Sequence, residues 1–484
     1  VSQGLYNLLM ICVYFGFMIW IGIYFKARAG KSSDAYILAD RKAPLWVVVG
    51  SIFATWVSSA TLIGYGGMGY STGIASYWSG GAFMLACTWL GFWAIPKLRA
   101  SGITTIPELF ERYFGLSHRL VAFILVLARD LGVTAGVAFG MAVIFQNLFH
   151  VSTDVALLIT VGVVIIYTIT GGAWAVMVTD SIQAIIIIVG SSLLLPMAIS
   201  AIGGWEAFQA HIPPTHVNIF SVGTTQTVGW LLNGIFITFA YQTLLQRGLS
   251  ATDTKTAQKS FVFGGLISMI WYMLPFVLGI CALALYPDIK AQDAFMKLAM
   301  MYGPYIGVFF VIVLLAACMS TVSACILTIT SNITLDVYKR IINPGVTEKA
   351  LVRIQRISTV VITIVACIIG RSLPYILELL WIGGRIMAAG LAPVFMAVIF
   401  WPAARRSRVA TMLAMLFGST TTLIAQIAQK QAAAAAAAKG STAFVWQWDP
   451  VVVGLPVTFV ILIAGVLIES SYRKSTPTGA AAGN

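Results

Sequence analysis

Thirteen apolar runs, most of them about twenty residues or longer, dominate this sequence, and they leave its backbone few choices. In a bilayer no water satisfies exposed N–H and C=O groups, so a spanning segment must bond to itself as a helix or close into a barrel. Runs of this length favour helices. With 59% hydrophobic and 9% charged residues, a soluble globule is excluded. The runs lie near 5–26, 45–70, 76–98, 118–148, 152–170, 174–201, 227–249, 260–286, 304–335, 351–370, 373–401, 407–428 and 450–471. They predict an all-α polytopic membrane protein with 13 transmembrane helices. The first lacks a basic start and a small-residue cleavage site, so it is expected to stay as a span.

The formal charge of +13 does not point to nucleic acid, because the cations sit in short links and report topology. Lys26, Arg28, Lys31, Arg41 and Lys42 follow the first run; Lys97, Arg99, Arg112 and Arg119 the third; Arg247, Lys255 and Lys259 the seventh. Lys339, Arg340, Lys349, Arg353 and Arg356 follow the ninth, Arg405, Arg406 and Arg408 the eleventh, and Arg473 and Lys474 the last. Every second link is basic, which puts the amino terminus outside and the carboxyl terminus in the cytoplasm. After the first helix the next ten divide into five and five that enter from opposite sides, as an inverted repeat requires. The resulting division is 1–44, an extra helix and basic link; 45–226, the first repeat and an outside loop; 227–401, the second repeat; and 402–484, two further helices and a short cytoplasmic tail. Ala432 to Ala438, in an outside link, reads as a short helix or a placeholder for unassigned residues.

All six cysteines lie in or beside apolar runs, which predicts buried thiols without a disulfide frame. His211 and His216 read as part of a solvated loop. No nucleophile, base and orienting group occur together and no phosphate loop is present, so an enzyme is not expected.

Within the second run, residues 48–67 hold Thr55, Ser58, Ser59 and Thr61 at the centre and Gly64, Gly66 and Gly67 at the end. That composition favours unwinding where oxygens face a cavity, and a helix interrupted at mid-membrane frees carbonyls that can replace a cation's hydration shell. Trp230 to Gln246, with Asn233-Gly234 and Tyr241-Gln242, is the expected counterpart in the other half; its alternative is an ordinary helix with polar residues facing the bundle. In the ninth run Ser320, Thr321 and Ser323 offer hydroxyls to a hard monovalent cation. Equally, each could bond the carbonyl one turn back.

Several motifs together resemble the sodium/solute symporter family. Tyr36 to Arg41 is similar to its "F-L-A-G-R" segment, with Asp40 in place of glycine, and Thr104 to Tyr113 to its "T-x-P-E-x-x-x-x-R-F" segment. Gly171-Gly172 through Thr179-Asp180 and Gln183 resembles "G-G-x-x-A-V-x-x-T-D-x-x-Q"; Gln246-Arg247 and Asp336 to Lys339 match two further landmarks. The likeness covers residues 5 to 401. It implies a LeuT-type 5+5 inverted repeat with one extra amino-terminal and two carboxyl-terminal helices, and alternating access driven by Na+. Carried over by position, sodium would be held by backbone oxygens of Ala54, Val57 and Ala317 and the hydroxyls of Ser320 and Thr321, with Asp180 nearby tuning the site. Some members bind a second sodium through a serine where Ala324 stands here. Solute would lie between the broken helices against Ser58, Thr61, Trp78, Tyr241 and Gln242, although core packing accounts equally for Trp78 and Tyr241. Sugar-carrying members place acidic or amide side chains at Thr61, Trp78 and Tyr241, so a sugar is disfavoured.

Arg129 and Arg385 stand about twelve residues into their helices, roughly 18 Å along and so near mid-membrane, where charge is costly. Arg129 adjoins Asp130, but helix neighbours diverge, so that pair is not assumed. Arg385 reads as the partner of a solute carboxylate, as half of an internal ion pair or as part of a water-lined path. The function expected is therefore a sodium-coupled symporter importing a small polar solute, a carboxylate or zwitterion, through a bacterial or archaeal plasma membrane. The expected partners are solute, sodium and membrane lipid, with no nucleic acid and no obligatory protein partner. The alternatives are a proton-coupled symporter using Asp180, and a transporter-like sensor, which would carry a long signalling domain. Here the sequence stops about a dozen residues after its last run.

Overall fold

The computed structural model describes residues 3–372, 376–438 and 448–475. The first three residues of the expected eleventh run, 373–375, and residues 476–484 of the expected tail lie outside that set. The principal helices are α1 Gln3–Ala29, α2 Leu45–Trp56, α3 Tyr65–Thr72, α4 Trp78–Trp93, α5 Leu116–Phe149, α6 Thr153–Ile202, α7 Thr224–Phe239 and α8 Gln242–Leu249. They continue as α9 Thr254–Trp271, α10 Met273–Leu285, α11 Pro304–Ser331, α12 Glu348–Ser372, α13 Ile376–Ile386, α14 Ala392–Phe400, α15 Arg408–Ala438 and α16 Val451–Ser475.

Among the described residues nine helices are long and apolar enough to cross a membrane, or up to eleven when each of two bent pairs is one span. Two places separate this from the thirteen expected. α6 runs through 50 residues as one helix with a break at Gly172 (φ 52°, ψ −145°), where the sequence suggested two spans. At about 1.5 Å per residue an unbroken α6 would reach roughly 75 Å, far beyond a hydrocarbon core of about 30 Å. Gly172 is required there, since a Cβ would stand 2.6 Å from the Tyr36 carbonyl oxygen. The other place is α4, whose 16 residues follow α3 through the 3-10 turn Gly73–Tyr77.

Both expected breaks are present. α2 and the chain from Ala60 meet at 55°, and α7 and α8 at 45°. The second falls at Ala240 and Tyr241, while Asn233-Gly234 stays inside α7. α11 is the centre of the bundle: its most apolar stretch is wholly buried, whereas α1, α12 and α16 keep most of theirs outward, as lipid-facing helices do. The alanine run continues α15 to its end, in keeping with alanine's helix propensity. All six cysteines are free; Cys87, Cys281, Cys318 and Cys325 are buried. Cys12 corrects the expectation of burial throughout, for it lies on the exposed face of α1, and Cys367 is half-buried.

Candidate functional site

The first break is built from carbonyls that the helix no longer uses. α2 ends at Trp56, and Val57 adopts extended backbone (φ −92°, ψ 118°), so the last carbonyls of the half-helix need other partners. Thr61 Oγ1 and Tyr272 Oη donate to the Trp56 oxygen at 3.2 and 2.8 Å. Ser320 Oγ donates to Ala54 O at 3.0 Å and Thr321 Oγ1 to Val57 O at 3.0 Å. The same hydroxyls lie 3.1 and 3.2 Å from Ala317 O on their own helix. The Ser320 and Thr321 hydroxyls are thus shared between α11 and the break, whereas Ser323 Oγ donates within α11 to Ser320 O at 3.1 Å.

Ala54, Val57, Ala317, Ser320 and Thr321 are brought together in one buried cluster. Its donors are carbonyls and hydroxyls without a carboxylate, a set that fits a hard monovalent cation in place of its water shell. Asp180 approaches one turn away. Its Oδ2 accepts from Ser51 Oγ at 2.6 Å and faces Arg247 Nη2 at 3.7 Å, while Oδ1 has no hydrogen-bond partner. One carboxylate therefore ties α6 to one half of each broken helix, α2 and α8.

Beside the second break an aromatic wall forms. Trp56 stacks on Phe83 and stands edge-on to Tyr241, each at 4.8 Å between centroids. The Arg129 guanidinium carbon sits 3.5 Å from the centre of the Tyr241 ring. Trp56 Nε1 and Arg129 Nε are buried donors without an acceptor. Arg129 Nη1 reaches Asp130 Oδ1 at 2.6 Å, and Thr243 Oγ1 donates to Asp130 Oδ2 at 3.1 Å. Divergence of neighbouring side chains did not prevent the pair, because the guanidinium arm is long enough to fold back.

Ser58 and Thr61 lie at the first break, where Thr61 Oγ1 accepts from Ser58 N at 3.1 Å. Tyr241 stands against Trp56 beside them, while Gln242, Trp78 and Arg385 are engaged by other elements. Gln242 accepts from Ile106 N at 3.0 Å and donates to Asn332. Trp78 Nε1 donates to Ile219 O at 2.9 Å and its ring stacks on Phe220, which ties it to the loop before α7. Arg385 pairs with Asp449 Oδ2 at 3.0 Å.

Residues 36–418 match the sodium:solute symporter family. The chain belongs to that family. Named relatives include a sodium/glucose cotransporter of Vibrio parahaemolyticus, 27% identical over 82% of this chain and 80% of the relative. A sodium/proline symporter of Haemophilus influenzae is 28% identical over 86% and 87%. The fold is similar to that of a sodium-coupled sialic acid symporter in a substrate-bound outward-open state, with TM-score 0.83, 18% identity and 96% and 97% of the two chains covered. A closed nucleobase-cation-symport-1 family transporter aligns with TM-score 0.63 at 12% identity over 92% and 96%. Sodium:solute symporters move sodium together with solute, so coupling to Na+ and an integral-membrane transport role follow from membership. The fold is of the LeuT type.

In this symporter two motifs that carried the likeness meet at one end of the bundle. Thr105 Oγ1 and Arg119 Nε both donate to Asp336 Oδ1 at 2.9 Å. Arg119 also pairs with Glu111, and Arg340 Nε reaches Glu111 at 2.6 Å. The π-helical segment Asn332–Ile342 beyond α11 carries Asp336 and Arg340, and the short helix Ile106–Phe114 carries Glu111. A cavity of about 600 Å³ opens beside them, lined by Glu108, Arg119, Lys339, Arg340 and Glu348 among others. Burial alone would raise the Glu111 carboxyl, but hydrogen bonds from Arg340 and Arg119 hold it below the usual glutamate range. Trp56, which sequence reasoning did not single out, was legible only as an aromatic placed directly before the Val57-Ser58-Ser59 interruption.

Proposed function

We propose that this symporter uses the inward sodium gradient to import a small polar organic solute, a carboxylate or zwitterion, by alternating access. The observation that carries the reading is the meeting of Ala54 O, Val57 O and Ala317 O with the hydroxyls of Ser320 and Thr321. Filling that cluster with sodium would fix the angle between the halves of the broken helix and so favour the solute-binding form. By linkage, solute would raise sodium affinity equally. Asp180 would tune the ion through Ser51. Ser58, Thr61 and Tyr241 would line the solute space with Trp56. Arg129 is the buried cation at that space, and its unpartnered Nε favours an anionic or zwitterionic solute. Trp78, Gln242 and Arg385 would act on the solute through the elements they hold in place.

We further propose thirteen spans, obtained by dividing α6 at Gly172 and separating α4 from α3, with repeats at 45–226 and 227–401 flanked by 1–44 and 402–484. The distribution of Lys and Arg supports an outside amino terminus and a cytoplasmic carboxyl terminus in a bacterial or archaeal plasma membrane. A second reading is favoured by the unpartnered Asp180 Oδ1: a carboxyl that takes up a proton in place of sodium. The test is uptake into liposomes under a sodium, a lithium or a proton gradient. Candidate solutes would come from a thermal-shift screen of carboxylates, amino acids and sugars with and without sodium. Uptake driven by sodium alone supports the first reading, and uptake driven by a pH gradient without sodium refutes it.

A further inference from the structure

The end of α1 and the start of α12 form a basic junction that neither sodium nor solute binding uses. Arg356 lies against the last turn of α1: a Cβ on Gly30 would stand 3.5 Å from Arg356 Nη2, and Gly30 N bonds to Lys26 O at 3.2 Å. Arg353 shares the Arg356 face of α12 at i, i−3 spacing. Lys26, Arg28, Lys31 and Arg353 are exposed, whereas Arg356 is partly buried with no hydrogen-bond partner at its Nε. Among the described residues none of these five cations is in an ion pair. The carboxylates on the adjoining elements are engaged: Asp34 with Arg41 at 3.3 Å, and Glu348 with Lys339 at 3.6 Å and Ser33 N at 2.9 Å. Gln355 Nε2 of α12 donates at 2.6 Å to Ser33 Oγ, which opens the short helix Ser33–Leu38 after α1.

Both helices carry outward apolar faces leading to this point. On α1 they are Phe17, Trp20, Ile23 and Tyr24, and on α12 Ile357, Val361, Ile364 and Ile368. Phe25 and Trp174 stack, and the Arg28 guanidinium stands 5.5 Å from the Trp174 ring. Aromatic side chains followed by cations mark the depth at which acyl chains give way to headgroups.

We propose that this junction is a headgroup site for an anionic phospholipid. Its phosphate would meet Arg356, Lys26 and Arg353, and its acyl chains would follow the exposed faces of α1 and α12. Ordinary topological charge accounts for exposed lysines in a link. It does not account for a guanidinium drawn against a neighbouring helix with a buried, unpartnered Nε and no carboxylate to receive it. A phosphodiester supplies the missing acceptors and can bind two nitrogens of one guanidinium.

The test compares wild type, K26Q/R356Q, R356K and a charge-matched control, K255Q/K259Q, at another basic link. Each is purified in neutral detergent and given phosphatidylglycerol, phosphatidylcholine or soluble glycerol phosphate. Melting temperature and lipid retained in native mass spectrometry are recorded. Phosphatidylglycerol should raise the wild-type melting temperature by several degrees and stay bound, and the control should behave as wild type. R356K should keep part of the shift and K26Q/R356Q should lose it. Should K26Q/R356Q fail to fold, R353Q, an exposed position, should reduce the shift. The proposal is overturned if K26Q/R356Q or R353Q keeps the full shift, if the control loses as much, or if glycerol phosphate reproduces the effect.

Discussion

Removing the two hydroxyls of α11 should make the symporter nearly deaf to sodium, and the geometry sets how far. Ser320 Oγ and Thr321 Oγ1 each donate to a carbonyl of the break at 3.0 Å. Sodium must compete with those hydrogen bonds for the carbonyls, so an alanine both removes a ligand and frees a competitor. An oxygen acting on a full charge contributes about 1.5–3 kcal/mol, and a neutral hydrogen bond about 1 kcal/mol net. Loss of the ligand therefore wins, leaving each single variant weaker by about 0.5–2 kcal/mol, or about twofold to thirtyfold in sodium affinity. The two hydroxyls share the Ala317 carbonyl, so the effects need not add. S320A/T321A should still raise the half-saturating sodium concentration at least tenfold. The assay is initial solute uptake into proteoliposomes across a sodium titration. Sodium-dependent melting of the same protein serves as a readout free of transport. Either hydroxyl is buried against a carbonyl, so both variants should also melt lower without sodium. A double variant that is folded and whose sodium half-saturation stays within twofold of wild type would refute the assignment.

Three further outcomes follow from other contacts. G172A should lower the melting temperature or the folded yield by the equivalent of about 1–3 kcal/mol, since a positive φ and a Cβ 2.6 Å from Tyr36 O must both be relieved; unchanged melting would contradict a required break. R385Q and D449N should each destabilise by about 1–3 kcal/mol, less than a fully buried pair because Arg385 keeps 21% exposure. R385Q/D449N should recover most of that loss with solute affinity near wild type, and a large rise in KM for R385Q alone would restore the solute-contact reading. Glu111, held below the usual range, contributes stability that is complete above its unfolded value of about 4.3 and is lost as pH falls through the folded value. The melting difference between wild type and E111Q should thus be flat from neutral pH to about 5 and shrink below about 4; a difference that shrinks already at neutral pH would sink the Arg119–Glu111–Arg340 account.

That the chain is helical and spans a membrane follows from its residue pattern alone, because apolar length and backbone hydrogen bonding admit little else. That pattern marked residues 48–67 for the first break and offered Trp230 to Gln246 for the second, where the interruption falls beside Tyr241-Gln242 and Asn233-Gly234 stays helical. The family's motifs also singled out Ala54, Val57, Ala317, Ser320 and Thr321, which the fold brings within hydrogen-bond distance of one another. Which polar groups find one another was set instead by the packing of the helices. Trp78, Gln242 and Arg385 looked like solute contacts because a polar or aromatic side chain in an apolar run has to go somewhere. Yet Ile219, Ile106 with Asn332, and Asp449 take them up from sites 64 to 141 residues away in sequence. Arg129 was in doubt for the opposite reason, since helical spacing speaks against a neighbour pair that a flexible side chain makes at 2.6 Å. Spacing along one helix is a local property that a sequence carries. The partner of a buried charge is fixed by packing between helices, where an acceptor brought close by the bundle outweighs any preference written along the chain.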